Sequence, residues 1–73
     1  MSNSSTYNVT RSWPHREDSI KFRDLEMHEC DKMLGEFVGI YTTIGKVSIE
    51  YGKMEARDDR GNLITSITWE SNN

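Results

Sequence analysis

The stretch Gly35-Glu36-Phe37-Val38-Gly39-Ile40-Tyr41-Thr42-Thr43-Ile44-Gly45-Lys46-Val47-Ser48-Ile49-Glu50-Tyr51 decides how this chain is read. From Glu36 onward its period is close to two. Phe37, Gly39 and Tyr41 alternate with Val38, Ile40 and Thr42 in a run rich in aromatic and β-branched residues, which predicts a strand with little polar face. Gly39 inside such a strand marks a bulge or a close approach of another backbone. A turn around Ile44-Gly45-Lys46 then leads into a cleaner strand, in which Val47, Ile49 and Tyr51 alternate with Ser48 and Glu50.

Working toward the C-terminus, Gly52-Lys53 is a two-residue break. Met54 and Ala56 alternate with Glu55 and Arg57 in a third run, and the cluster Asp58-Asp59-Arg60-Gly61-Asn62 closes it in a hairpin loop. Leu63, Thr65, Ile67 and Trp69 share one face of a fourth strand, with Trp69 as the core tryptophan. Four short strands with tight connections describe an antiparallel meander. Toward the N-terminus, Ile20 and Phe22 begin a further strand. Leu25, Met33 and Leu34 fit one or two helical turns, with Asp24 as N-cap and Gly35 just past the end. The expected fold is mainly β, with a small α+β arrangement as the alternative: a single antiparallel sheet of three to five short strands, one short helix and a disordered N-terminal tail.

The distribution of apolar residues sets the expected boundaries. Residues 1–19 hold only Met1, Tyr7, Val9 and Trp13, whereas residues 20–69 hold twenty-one apolar residues. The first stretch is too poor in apolar surface to offset the entropy of ordering its backbone. A flexible polar tail over 1–18, one compact β-rich domain over 19–70 and a frayed end over 71–73 follow from this.

Charge and cysteine content narrow the function classes. The net charge is −3, without the excess of Lys and Arg that a phosphate-gripping protein shows. Residues 1–16 carry two arginines and no acid; residues 17–36 carry three basic and seven acidic groups. A basic arm thus precedes an acidic segment. The lone Cys30 closes no intramolecular disulfide, which predicts a reducing cytosol, and no apolar run of membrane-spanning length or export signal is found. His28-Glu29-Cys30-Asp31 is the one crowding of metal-type ligands, and without a second pair it predicts no metal site. No cofactor loop and no activated nucleophile are expected, so the chain reads as a non-enzyme.

Candidate contact residues gather in two places. Tyr7, Arg11, Trp13, His15 and Arg16 are of types that populate interface hot spots or carry positive charge, in a stretch whose composition is that of an unfolded arm. Pro14 biases Trp13 toward an extended conformation, lowering the entropic cost of docking. The other reading lays this stretch back on the domain edge as an extra strand, with Tyr7, Val9 and Arg11 alternating. Asp58, Asp59 and Arg60 are a solvated hairpin tip or a charged contact at an interface rim. On the sheet, Phe37, Tyr41 and Tyr51 are core residues or, alternatively, a stacking platform for single-stranded nucleic acid.

Taken as a whole, with Ser2-Asn3-Ser4-Ser5-Thr6-Tyr7-Asn8-Val9-Thr10-Arg11-Ser12-Trp13-Pro14-His15-Arg16 at its front and Gly35 to Lys46 in its middle, the chain resembles small phage-encoded regulators of bacterial RNA polymerase. The resemblance covers the full length and contains no motif that transfers a role to a single residue. It implies a non-enzymatic protein of the bacterial host cytoplasm, acting as a monomer. Its implied partner is host RNA polymerase, near the N-terminal end of the β′ subunit by the RNA exit channel, with the β flap as a further contact and RNA or upstream DNA close by. The implied actions are inhibition of initiation through loss of σ and read-through of intrinsic terminators.

Overall fold

The structure is a computed structural model that describes residues 6–72. It is one five-stranded antiparallel sheet with a single helix across it. The elements run β1 (Thr6–Ser12), β2 (Ile20–Glu26), α1 (Met27–Tyr41), β3 (Lys46–Glu50), β4 (Lys53–Arg57) and β5 (Leu63–Ser71). Across the sheet the order is β2-β1-β5-β4-β3. The helix therefore joins one edge strand to the other, and the first and last strands meet in the middle.

The largest departure from expectation is α1. Residues 37–42, read above as a strand, are the last turns of this helix and the start of its exit, and Gly35 and Gly39 lie within it rather than at an end or a bulge. The reason is legible once the window is widened. Cys30, Met33, Leu34, Phe37, Val38 and Tyr41 recur at spacings of three and one, the stripe of a 3.6-residue period. These six build the helix's contribution to the core, and Cys30 and Phe37 are buried. A Cβ at Gly35 or Gly39 would meet nothing within 4 Å, so both glycines sit on the outer side and only lower helix propensity. At the N-terminus, the backbone N–H of Glu26 donates to Glu29 Oε1 at 3.1 Å, so Glu26 and not Asp24 is the cap. At the C-terminus, the hydroxyls of Thr42 and Thr43 donate to the carbonyls of Val38 (2.7 Å) and Ile40 (2.6 Å). These bonds satisfy end groups that a helix leaves open.

The second departure is β1. Thr6–Ser12, placed above in a flexible tail, is a central strand paired with β2 on one side and β5 on the other. Val9 is fully buried. Val9, with Tyr7 packed against the core beside it, was enough because the neighbouring strands supply the rest of the apolar face. Residues 1–5 of the expected tail lie outside the described residues. The compact domain thus begins by Thr6 rather than at residue 19. At the other end Ser71 belongs to β5, and the Asn72 N–H donates to Thr6 O at 2.9 Å, so the expected fraying over 71–72 is also corrected.

Asp24 lies in β2 with φ +58°, where the β1–β2 register shifts between Tyr7 and Val9. Its N–H donates to Asn8 Oδ1 and its carboxylate accepts from Asn72 Nδ2, both at 3.2 Å, which offsets the strain of the bulge. The β3–β4 hairpin turns on Tyr51-Gly52, one residue earlier than read, with Gly52 at φ +78°. Gly45 is required for another reason: a Cβ there would collide with the carbonyl oxygen of Arg57.

The core lies between α1 and one face of the sheet, with Val9, Met54, Ala56 and Ile67 meeting Cys30 and Phe37. Trp69, expected as the core tryptophan, only flanks this cluster. The other face carries Asn8, Thr10 and Ser12 of β1 opposite Glu70, Thr68 and Ser66 of β5, and among the described residues no element covers it.

Candidate interaction site

Topology gathers most of the predicted contact residues at one end of the sheet. Ser12 pairs with Ser66, Arg57 with Leu63 and Lys46 with Arg57. The β1–β2 connection, the β4–β5 hairpin and the exit of α1 therefore share that end. Trp13, His15 and Arg16 stand on the first, and Asp58, Asp59 and Arg60 on the second. Tyr7 does not join them: it sits near the far end of β1, packed against the core.

Arg11 is corrected from a free contact to an internal joint. Its guanidinium lies 5.0 Å from the Phe37 ring centroid, 5.2 Å from Trp13 and 5.8 Å from Tyr41. It donates to the Tyr41 hydroxyl and to Thr65 Oγ1, each at 3.3 Å. The buried Thr65 hydroxyl in turn donates to Ser12 O at 2.7 Å. Arg11 thus ties β1 to both α1 and β5 with aromatic faces in place of a carboxylate partner. Its Nε is buried without a hydrogen-bond partner.

Trp13 takes a second cation from outside. Arg16 places its guanidinium 4.8 Å from the Trp13 centroid, and the Arg16 N–H donates to Trp13 O at 3.3 Å in a turn through Pro14 and His15. Asp18 holds Arg16 there through bonds of 2.7 and 3.1 Å. The same hydrogen bonds hold the Asp18 carboxyl below its ordinary value and raise the Arg16 guanidinium above its own. The loop is therefore a pre-shaped Trp–Arg surface rather than a loose arm, which lowers the ordering cost of docking.

The hairpin tip is likewise fixed. Asp58 Oδ1 accepts the backbone N–H of Arg60 and of Asn62, each at 2.9 Å. The Asn62 N–H above all, with that of Arg60, holds the Asp58 carboxyl below its ordinary 3.8. A carboxyl with a lower pKa folded than unfolded contributes stability above its unfolded value, and that contribution is lost as pH falls through the folded one. Urea midpoints of the wild type should accordingly fall as the pH is taken below 3.8, and Asp58→Asn should flatten the drop. Identical acid profiles for the two proteins would show that the tip bonds do not form.

Other chemistry is disposed as follows. Cys30 points into the core, where burial first and Asp31 second push its thiol up, the opposite of an activated nucleophile. It is parted from His28, which is exposed. Glu26, His28 and Glu29 bring one ligand atom each within 4.8 Å of one another at the exposed start of α1, but one Glu29 oxygen is engaged by the Glu26 N–H. The stacking platform does not form, since Phe37 is buried on α1 against Tyr41, 4.9 Å between centroids, and only Tyr51 is exposed. Among the described residues no helix is long and apolar enough to cross a membrane.

The hairpin at Asp58–Asn62 forms where it was expected, whereas Trp13–Arg16, expected in a loose arm, is a fixed turn and Arg11 is internal. The pairing of Arg11 with Tyr41 and Phe37 was hidden by reading the latter two as a strand. Compared with family models, with curated proteins and with solved structures, the chain matches none of them.

Proposed function

We propose that this chain acts without catalysis, as a phage protein that docks on bacterial host RNA polymerase beside the RNA exit channel at the N-terminal region of β′. There it inhibits initiation through displacement of σ and suppresses intrinsic termination. The partner and the two actions rest on the resemblance of the sequence. The observation that supports a docking mode is the Trp13–Arg16 loop, an aromatic ring pre-stacked with a guanidinium and flanked at the same end of the sheet by Asp58, Asp59 and Arg60. Trp and Arg on a fixed scaffold are the side chains from which interface hot spots are made.

The test is capture of purified host polymerase by the tagged chain, with terminator read-through measured on the same preparations. Wild-type protein should bind and increase read-through. The double variant Trp13→Ala/Arg16→Ala should lose about 30-fold in affinity, the factor that corresponds to a hot spot of about 2 kcal/mol, and lose read-through in proportion. Binding of the variant at wild-type strength would remove this loop from the interface. Wild-type protein that captures no polymerase would remove the partner itself.

A further inference from the structure

The five residues of edge strand β3, Lys46-Val47-Ser48-Ile49-Glu50, are complementary to themselves when reversed. Placed antiparallel against a second copy about Ser48, each Lys46 faces the second copy's Glu50, each Val47 faces its Ile49, and the two serines face one another. We infer that β3 is a self-pairing edge through which two copies of this chain join into one continuous sheet.

The phase of the hydrogen bonding supports this register. Trp69 N–H donates to Gly52 O at 3.0 Å. In an antiparallel ladder that bond makes Lys53–Thr68 a non-hydrogen-bonded pair, so Lys53 turns its peptide groups toward β3 and Met54 turns its own toward β5. Across β3, the alternation then directs the groups of Glu50, Ser48 and Lys46 to β4 and leaves the N–H and C=O of Val47 and Ile49 pointing outward. Those are the two residues that meet in the self-paired register, where each pair exchanges both backbone bonds.

The side chains agree on both faces. Val47 and Ile49 share the helix face with Ala56 and Met54, yet Ile49 is 66 % exposed because α1 does not cover it. On the other face Lys46 lies directly opposite Arg57, a like charge, and neither Lys46 nor Glu50 is ion-paired within the chain among the described residues. Within the chain Glu50 has Lys53 opposite it, so a second copy adds a further cation to Glu50 and gives Lys46 the opposite charge that Arg57 does not. An edge whose outward N–H and C=O groups are unpaired and whose Ile49 side chain is exposed invites pairing. The opposite edge is blunted, by contrast: β2 carries the Asp24 bulge, and reversal about Arg23 sets Lys21 against Leu25 and Ile20 against Glu26. The join is two-fold and therefore closes at a dimer. It replaces the monomer expected from sequence and is independent of polymerase binding.

Sedimentation of the untagged full chain over micromolar to millimolar concentration tests the inference, with circular dichroism to confirm that each variant folds. The wild type should form a reversible dimer. Lys46→Glu and Glu50→Lys each replace two attractive cross-strand contacts with repulsive ones and should raise the dissociation constant about tenfold or more. The two single variants mixed together carry opposite charges along β3 and should restore a mixed dimer at wild-type strength. A wild type that stays monomeric throughout, or a dimer indifferent to both reversals, or a mixture that restores nothing, would overturn the proposal.

Discussion

Truncating the chain so that it begins at Trp13 is expected to abolish cooperative unfolding rather than trim an arm. β1 lies between β2 and β5, so its removal leaves β2 with no strand to pair with and exposes one side of β5. Val9, at 0 % exposure, goes with it, and so does the Arg11 guanidinium that fills the space over Phe37. Burial of one valine is worth about 1.5–3 kcal/mol, and a native domain holds only about 5–15 kcal/mol in total. The unpaired backbone groups of β2 and β5 add to the loss. Far-UV circular dichroism should show a collapsed strand signal and no sigmoidal melt. A truncated protein that melts cooperatively near the wild-type temperature would sink the central-strand assignment and return residues 6–12 to the status of a tail.

Phe37→Ala should be the most damaging single truncation of a side chain, at about 3–5 kcal/mol. Phe37 is 2 % exposed, touches Tyr41 ring to ring and lies beneath the Arg11 guanidinium. Removing the ring opens a cavity and also leaves a half-buried cation without the face that replaces its counter-ion. For a domain of this size each kcal/mol displaces the melting temperature by about 4–8 °C. Trp69→Ala should cost less, about 1.5–3 kcal/mol, because Trp69 is only partly buried at the margin of the core. Thermal melts of the two variants side by side decide the matter. If Trp69→Ala proved the worse, the core would be centred where the sequence alone had put it.

The C-terminal half was readable because its strands alternate and are closed by their own turn chemistry: Gly52 at a positive φ, and Asp58 binding the N–H groups of Arg60 and Asn62. The exception is the start of β5, where a bulge packs Ile64 rather than the expected Leu63 against the core. The helix was not readable from the run that begins at Glu36, since Phe37, Gly39 and Tyr41 satisfy a period of two as well as Cys30, Leu34, Phe37 and Tyr41 satisfy one of 3.6. Two glycines and several β-branched residues argued locally against helix; packing on the sheet overrode them. β1 was hidden for the opposite reason. Its apolar content is Tyr7 and Val9, and the stability of a central strand comes from neighbours that a local window does not contain. The same blindness misplaced Arg11, whose partners Tyr41 and Thr65 lie 30 and 54 residues away in sequence. The turn at Asp58 to Arg60 was legible because its partners are local, whereas Trp13 to Arg16, expected in a loose arm, are held by Asp18 in a turn.

The bond from the Asn72 N–H to Thr6 O joins the first strand to the last at the heart of the sheet. During synthesis β1 must wait for β5 before its second side is filled. A ribosome-bound chain from which β5 has not yet emerged therefore holds no complete sheet, and any stop codon before β5 leaves a product without a native state.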